Sequence, residues 1–285
     1  MSEQPSKVLP FIEHLVELRK RLIIIVVAVI IGMGFAWNLA DEILVFMEKP
    51  LTGTTYLDTA KQKGYLYLKE HYPAIYGRAN LEKELNKPKK QHALNYTAPL
   101  EPFFIQCKIS VIAGFVLVLP IVFHQLWAFI APGLTRKERR LVVPFITVAT
   151  VAFCIGAMFF LTTIWPFIIN FSLSYETEGL RSWLSLSAYV DFCLRLILLF
   201  GLIAELPIIT LLLSRFGIVS YQFLAPKRKY ALLASSIVAA FHSDLVTMFV
   251  IMIPLYLMYE VSVWVALFFG KKKVVTPAEP EPDTV

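Results

Sequence analysis

The sequence is short of the residues on which water-soluble enzymes and secreted scaffolds depend. Charged residues make up only 17% of its 285 positions, against 57% apolar ones. At a mean hydropathy of +0.65 the chain has too much apolar surface for water to cover, so lipid is its main solvent. There are three cysteines, Cys107, Cys154 and Cys193. Each lies within an apolar run, where burial is expected and neither a disulfide framework nor a thiolate metal site is implied. The five histidines are scattered. HExxH, GxSxG and CxxC are all absent, so the chain lacks the usual signatures of a metalloprotease, a serine hydrolase or a dithiol enzyme. A cleavable signal peptide is not expected either, because the first apolar run is followed by acids and a long polar segment.

What is present in quantity is membrane-length apolar sequence. A window of roughly 20 residues finds spans at about 22 to 40, 103 to 131, 141 to 170 and 186 to 213. The apolar region 229 to 269 is interrupted by Phe241, His242, Ser243 and Asp244. A polar quartet there reads as a tight turn at the far surface, which divides the region into helices at 229 to 241 and 245 to 269. The fold class is therefore an all-α membrane protein with six transmembrane helices. We expect a single membrane domain over 1 to 270, an extended outer loop at 52 to 98 and a disordered tail at 271 to 285, acidic and proline-rich after its lysines.

Charge assigns the sides. Arg19, Lys20 and Arg21 precede the first span, Arg136, Lys137, Arg139 and Arg140 join the second to the third, Arg215, Lys227, Arg228 and Lys229 join the fourth to the fifth, and Lys271 to Lys273 follow the sixth. In a six-span topology all these clusters share one side, which the positive-inside rule makes cytoplasmic, with both termini. The segment 52 to 98 is basic yet outside, as segments of that length can be. The fifth span is short: Tyr230 to Phe241 gives about 18 Å of helix against roughly 30 Å of hydrocarbon. It must borrow flanking residues, thin the bilayer or lean on longer helices, unless 229 to 269 is a re-entrant pair.

The segment FIEHLVELRKRL, 11 to 22, places Phe11, Leu15, Leu18 and Leu22 on one helical stripe and Glu13, Glu17 and Lys20 opposite. It reads as an amphipathic helix at the cytoplasmic interface. Glu17 has Arg21 four residues on, a pair worth only ~0.3 kcal/mol when exposed. Glu138 is the only acid in the basic loop TRKERR. By itself it is a solvated loop residue; beside Glu17 it gives two carboxylates on one surface, each able to accept an arginine fork.

HLVELRKRL (14 to 22), EPFF (101 to 104), LPIVFHQLWAFIAPGLTRKERRLVVP (119 to 144), AELP (204 to 207) and KRKY (227 to 230) together resemble TatC, the multi-span core subunit of the bacterial twin-arginine protein translocase, from about residue 10 to about residue 269. The resemblance implies a glove-shaped, concave receptor of the bacterial cytoplasmic membrane ending in two short helices. It also implies binding of the paired arginines in signal peptides of folded cargo, assembly with the single-span subunits TatA and TatB, homo-oligomers within that complex, and transport on the proton motive force. No nucleotide, cofactor, nucleic acid or enzymatic activity is implied.

By position, Glu17 and Glu138 match the arginine-binding acids. His14, Leu18 and Arg19 match neighbouring motif positions, and Gln125, Trp127, Phe129, Pro132 and Leu134 match the lining and end of span two. Pro50 and Phe103 match positions bordering the first outer loop. Trp127 is equally readable as an interfacial anchor and Phe129 as core.

Glu205, in GLIAELPIITLLL, would be costly facing lipid. It is either a neutral acid bonded to a neighbouring helix or, as the resemblance implies, part of the face that receives the signal peptide or the TatA and TatB helices. Arg195 lies about 15 Å along the same helix and cannot reach it, so Asp191, one turn before Arg195, is the expected partner of that arginine.

The chain departs from the family pattern in two places. Before Asp244, a partner-contact candidate, it lacks the family's prolines, and the loop 52 to 98 is long, with ANLEKELNKPKKQ as its expected surface helix. Two other function classes compete with the translocase reading. A small-molecule transporter should break its helices at corresponding places in two halves, whereas proline falls within spans two and four here. A membrane hydrolase lacks a motif.

Overall fold

The computed structural model describes residues 8–52, 56–73, 92–130, 142–177, 179, 181–241 and 245–269. Their regular structure is helical apart from one isolated bridge between Asn95 and Ser185. The chain divides into two compact units, Met1–Leu202 and Ile203–Val285.

The first unit opens with α1 (Val8–Ala36), 29 residues, about 43 Å at 1.5 Å per residue. A single 3₁₀ turn, Trp37–Leu39, leads into α2 (Ala40–Thr52), whose first turn carries Asp41 and Glu42, the sign the positive helix start favours. Next come α3 (Tyr56–His71), α4 (Glu101–Leu117) and α5 (Leu119–Ile130). The last two meet at a 58° bend, where Pro120 cannot donate to the helix ladder. Then α6 (Val142–Phe159) and α7 (Trp165–Leu173) flank a π-helical turn, Phe160–Ile164. Pro166 would press on the carbonyl four residues back in a regular helix, and the wider turn relieves it. The helix α8 (Leu186–Ala204) follows.

The bent pair α4 and α5 runs antiparallel to α1, and side chains give the register. Trp37 meets Phe103 edge-on, with centroids 6.0 Å apart; Gly32 faces Gly114; Arg21 reaches Gln125; His14 stacks on Phe129. At the crossing there is no room for a side chain. A Cβ on Gly32 would lie 2.6 Å from the Gly114 carbonyl oxygen, the close backbone approach that small residues allow between helices in lipid. Elsewhere the outer faces stay apolar and exposed, for example Phe35, Val143 and Ile155, as helices facing acyl chains should be. Cys154 lies on such a face and Cys107 is half-buried. Only Cys193 is buried, so the expectation of three buried cysteines is corrected: in lipid an exposed thiol keeps apolar surroundings.

In the second unit α9 (Leu206–Arg215) ends in a Schellman cap. Gly217 takes φ +76°, and the Ile218 N–H reaches the Leu213 carbonyl at 2.9 Å. After α10 (Tyr221–Leu224) and a 3₁₀ turn at Ala225–Lys227 come α11 (Arg228–Ala240) and α12 (Leu245–Phe269). α12 packs on α9 and α11 and buries Thr247, Ile251, Leu255, Val263 and Ala266. Arg228 pairs with Glu260 at 2.9 Å, and the Tyr256 hydroxyl donates to the same carboxylate.

Among the described residues, four helical stretches are long and apolar enough to cross a membrane: Glu13–Thr52, Val143–Leu173, Leu186–Arg215 and Leu245–Phe269. The bent pair Glu101–Leu117 and Leu119–Phe129 makes a fifth if it crosses as one span. α11 has 13 residues, about 20 Å, the short length the sequence predicts. The expected loop 52 to 98 holds the 16-residue helix α3. The surface helix expected in ANLEKELNKPKKQ lies outside the described residues, as does the tail 271 to 285.

Candidate functional site

At the end of the first unit where α1 begins, four of the predicted residues meet. The ring of His14 stacks on Phe129 of α5, with centroids 4.2 Å apart and planes 20° from parallel. One turn on, Glu17 is held by Arg21, whose Nε donates to Oε1 at 3.2 Å and whose terminal amine donates to the same oxygen. The other terminal amine of Arg21 reaches Gln125 Oε1 at 3.5 Å, tying α1 to α5. Both guanidinium bonds fall on Oε1. Among the described residues, Oε2 has only His14 Nδ1 nearby, at 4.0 Å. The pair is partly hydrated, with side-chain exposures of 35% for Glu17 and 22% for Arg21, so it is worth no more than about 0.5 kcal/mol. The carboxylate is thus oriented without being consumed, and its open oxygen can accept a second cationic donor.

Leu18 and Arg19 are exposed and belong to other faces of α1. Trp127 is buried edge-on against Phe145, at 4.9 Å, and does not enter the cluster. Glu138, Pro132 and Leu134 lie outside the described residues. Sequence reasoning placed Arg21 as a weak partner of Glu17 and missed its reach to Gln125. The spacing signals the first contact; the second needs the antiparallel register.

At the opposite end of the first unit, Pro50 is buried inside α2. In the turn that this proline loosens, the Met47 carbonyl accepts both the Trp165 indole N–H at 3.0 Å and the Tyr189 hydroxyl at 2.6 Å. Phe103 is exposed beside Trp37 and Phe104. Glu101 fastens the starts of two helices. Its Oε2 accepts the Thr97 and Ala98 N–H groups at 2.9 and 3.3 Å, and its Oε1 accepts the Ser187 N–H at 3.0 Å.

One pairing expected from the sequence is wrong. Asp191 does not serve Arg195; both its oxygens take Lys108 Nζ of α4, at 2.7 and 2.9 Å. The lysine approaches from another helix, which spacing along α8 could not reveal. In the second unit Glu205 is 3% exposed and stands at the N-cap of α9 without capping it. Asp244 lies outside the described residues.

The family model for the Sec-independent protein translocase protein TatC matches residues 13–254. The chain is a member of the TatC family. Its relatives include the TatC of Desulforapulum autotrophicum, 31% identical over 96% of this chain and 89% of that one, and the TatC of Magnetococcus marinus, 33% identical over 92% and 84%. A crystal structure of the twin arginine translocase receptor TatC superposes with a TM-score of 0.68 at 29% identity, covering 89% of this chain and 98% of that one. This TatC-family chain is thus a multi-pass membrane protein and a component of a protein translocase.

Proposed function

We propose that the chain is the signal-peptide receptor of a twin-arginine translocase in a bacterial cytoplasmic membrane. The observation that carries this reading is Glu17, whose carboxylate is steered by Arg21, Gln125 and His14 while Oε2 stays open. The Glu17 carboxylate accepts a guanidinium donor, while the cations that follow it in α1, Arg19, Lys20 and Arg21, repel a diffuse positive charge. Glu138, from the basic loop after α5, supplies the second carboxylate, with Leu18 and Phe129 flanking the peptide. Glu205 and Asp244 contact the peptide or the single-span TatA and TatB helices, and Pro50 and Phe103 border the outer loop. Transport draws on the proton motive force, and the receptor assembles as a homo-oligomer with TatA and TatB.

Purified full-length protein should bind a peptide carrying paired arginines about ten times more tightly than the same peptide with paired lysines, because a lysine supplies one point charge in place of a fork. Equal affinity for the two peptides, measured by fluorescence anisotropy, overturns the reading.

The topology proposed with it has six spans, both termini cytoplasmic and one membrane domain over 1 to 270. Single cysteines near Lys137 and Lys272 should resist an impermeant maleimide in intact cells, and one near Tyr76 should react. Reaction at Lys137 or Lys272 overturns this topology.

A further inference from the structure

A groove of about 980 Å³ lies between α4 and α8 of the first unit, away from the Glu17 cluster. The two helices start level, since Glu101 binds the Ser187 N–H and Asn95 bonds to the backbone of Leu184 and Leu186. Seven residues into α4, about 10 Å from its start, Lys108 closes on Asp191. That pair is neutral as a unit. Arg195, eight residues past Ser187 on α8 and so about 12 Å below it, lines the same groove with Val111, Ile112, Leu194 and Leu198. It is exposed, and among the described residues no side chain pairs with it. Glu101 also lines the groove, near its upper end, with both oxygens engaged by Thr97, Ala98 and Ser187.

The groove therefore holds one guanidinium with no ion-pair partner among the described residues, beside aliphatic side chains, in a helical stretch, Leu186–Arg215, long and apolar enough to cross a membrane. A cation there is costly unless it reaches a phosphate or a partner. The volume suits a ligand of some tens of heavy atoms, and the lining changes from charged at Lys108 to aliphatic at Ile112 and Leu198. A phospholipid has that same gradient. A zwitterionic headgroup brings its own ammonium to compete for the phosphate, whereas an anionic one leaves the phosphodiester to the guanidinium.

We propose that this groove binds an anionic phospholipid from the adjoining leaflet, its phosphodiester on Arg195 with Lys108 beside it and one acyl chain along Ile112 and Leu198. The proposal stands whether or not Glu17 binds signal peptides.

Native mass spectrometry of the full-length protein tests it, with phosphatidylglycerol or phosphatidylcholine of identical acyl chains added to the detergent micelles. Phosphatidylglycerol should be retained roughly tenfold over phosphatidylcholine, as loss or gain of one charge-assisted contact predicts. Arg195→Gln should lower its retention to the phosphatidylcholine level. Arg195→Lys should keep an intermediate preference, and Arg181→Gln, an exposed arginine outside the groove, should change nothing. Equal retention of the two lipids by the unmodified protein sinks the proposal, and that arm requires no variant to fold. An undiminished preference in Arg195→Gln sinks it too. Displacement of phosphatidylglycerol by millimolar inorganic phosphate would identify a free-anion site and reject the lipid.

Discussion

Gly114→Leu is expected to prevent accumulation of folded protein in the membrane. A Cβ at Gly114 would lie 2.6 Å from the Gly32 carbonyl carbon, and one at Gly32 would lie 2.6 Å from the Gly114 oxygen. These obstacles are backbone atoms, which cannot rotate aside as a side-chain end can. Inserting even one methyl group into a closed packing costs about 1–3 kcal/mol, so Gly114→Ala should lower the thermal midpoint clearly and leucine should separate α1 from α4. Separation is especially damaging because no hydrophobic force draws helices together again within lipid. Gly34→Ala is the matched control, since a Cβ there meets nothing within 4 Å and helix propensity favours alanine by about 1 kcal/mol. Size-exclusion profiles of detergent extracts with a thermal ramp would decide the matter. Comparable behaviour of the two variants would show that the crossing tolerates a wider spacing.

Glu17→Gln is expected to weaken twin-arginine peptide binding roughly ten- to a hundredfold, the worth of one charge-assisted hydrogen-bonded pair of about 1.5–3 kcal/mol. Competition from Arg21 does not erase this contribution. The resident pair is partly hydrated and worth no more than about 0.5 kcal/mol, and both its bonds use Oε1. Glu138→Gln should produce a loss of similar size. Helix content by circular dichroism should not change in either variant, because Glu17 is partly hydrated and the substitution keeps its shape. Peptide affinity that survives in the double glutamine variant would place the arginine site elsewhere and leave Glu17 as a helix-surface pair.

The apolar runs made the long helices legible, because each is dictated by the bilayer thickness and needs no knowledge of partners. Glu17, His14, Gln125 and Phe129 came from a motif resemblance. Their meeting depends on the antiparallel register of α1 against α5, which no local pattern in the sequence encodes. The failures have separate physical causes. Asp191 has an arginine at ideal helical spacing, yet α4 brings Lys108 within 2.7 Å, and a tertiary contact outweighs a surface pair of a few tenths of a kcal/mol. Cys154 is apolar enough for burial, but a bilayer removes the distinction between core and outer face on which that inference rests. The helix α3 was hidden because its mixed polar and aromatic sequence carries little periodic signal.

The 58° bend between α4 and α5 makes α5 a lever. It is 12 residues long, about 18 Å, and it carries Gln125 and Phe129 on the side remote from its pivot. A change of about 10° at Val118 swings that remote end by about 3 Å, more than enough to unstack His14 from Phe129, while the Gly32–Gly114 crossing on the other side of the pivot stays put. A small angular change at this bend would thereby open or close the Glu17 cluster, with no element having to unfold.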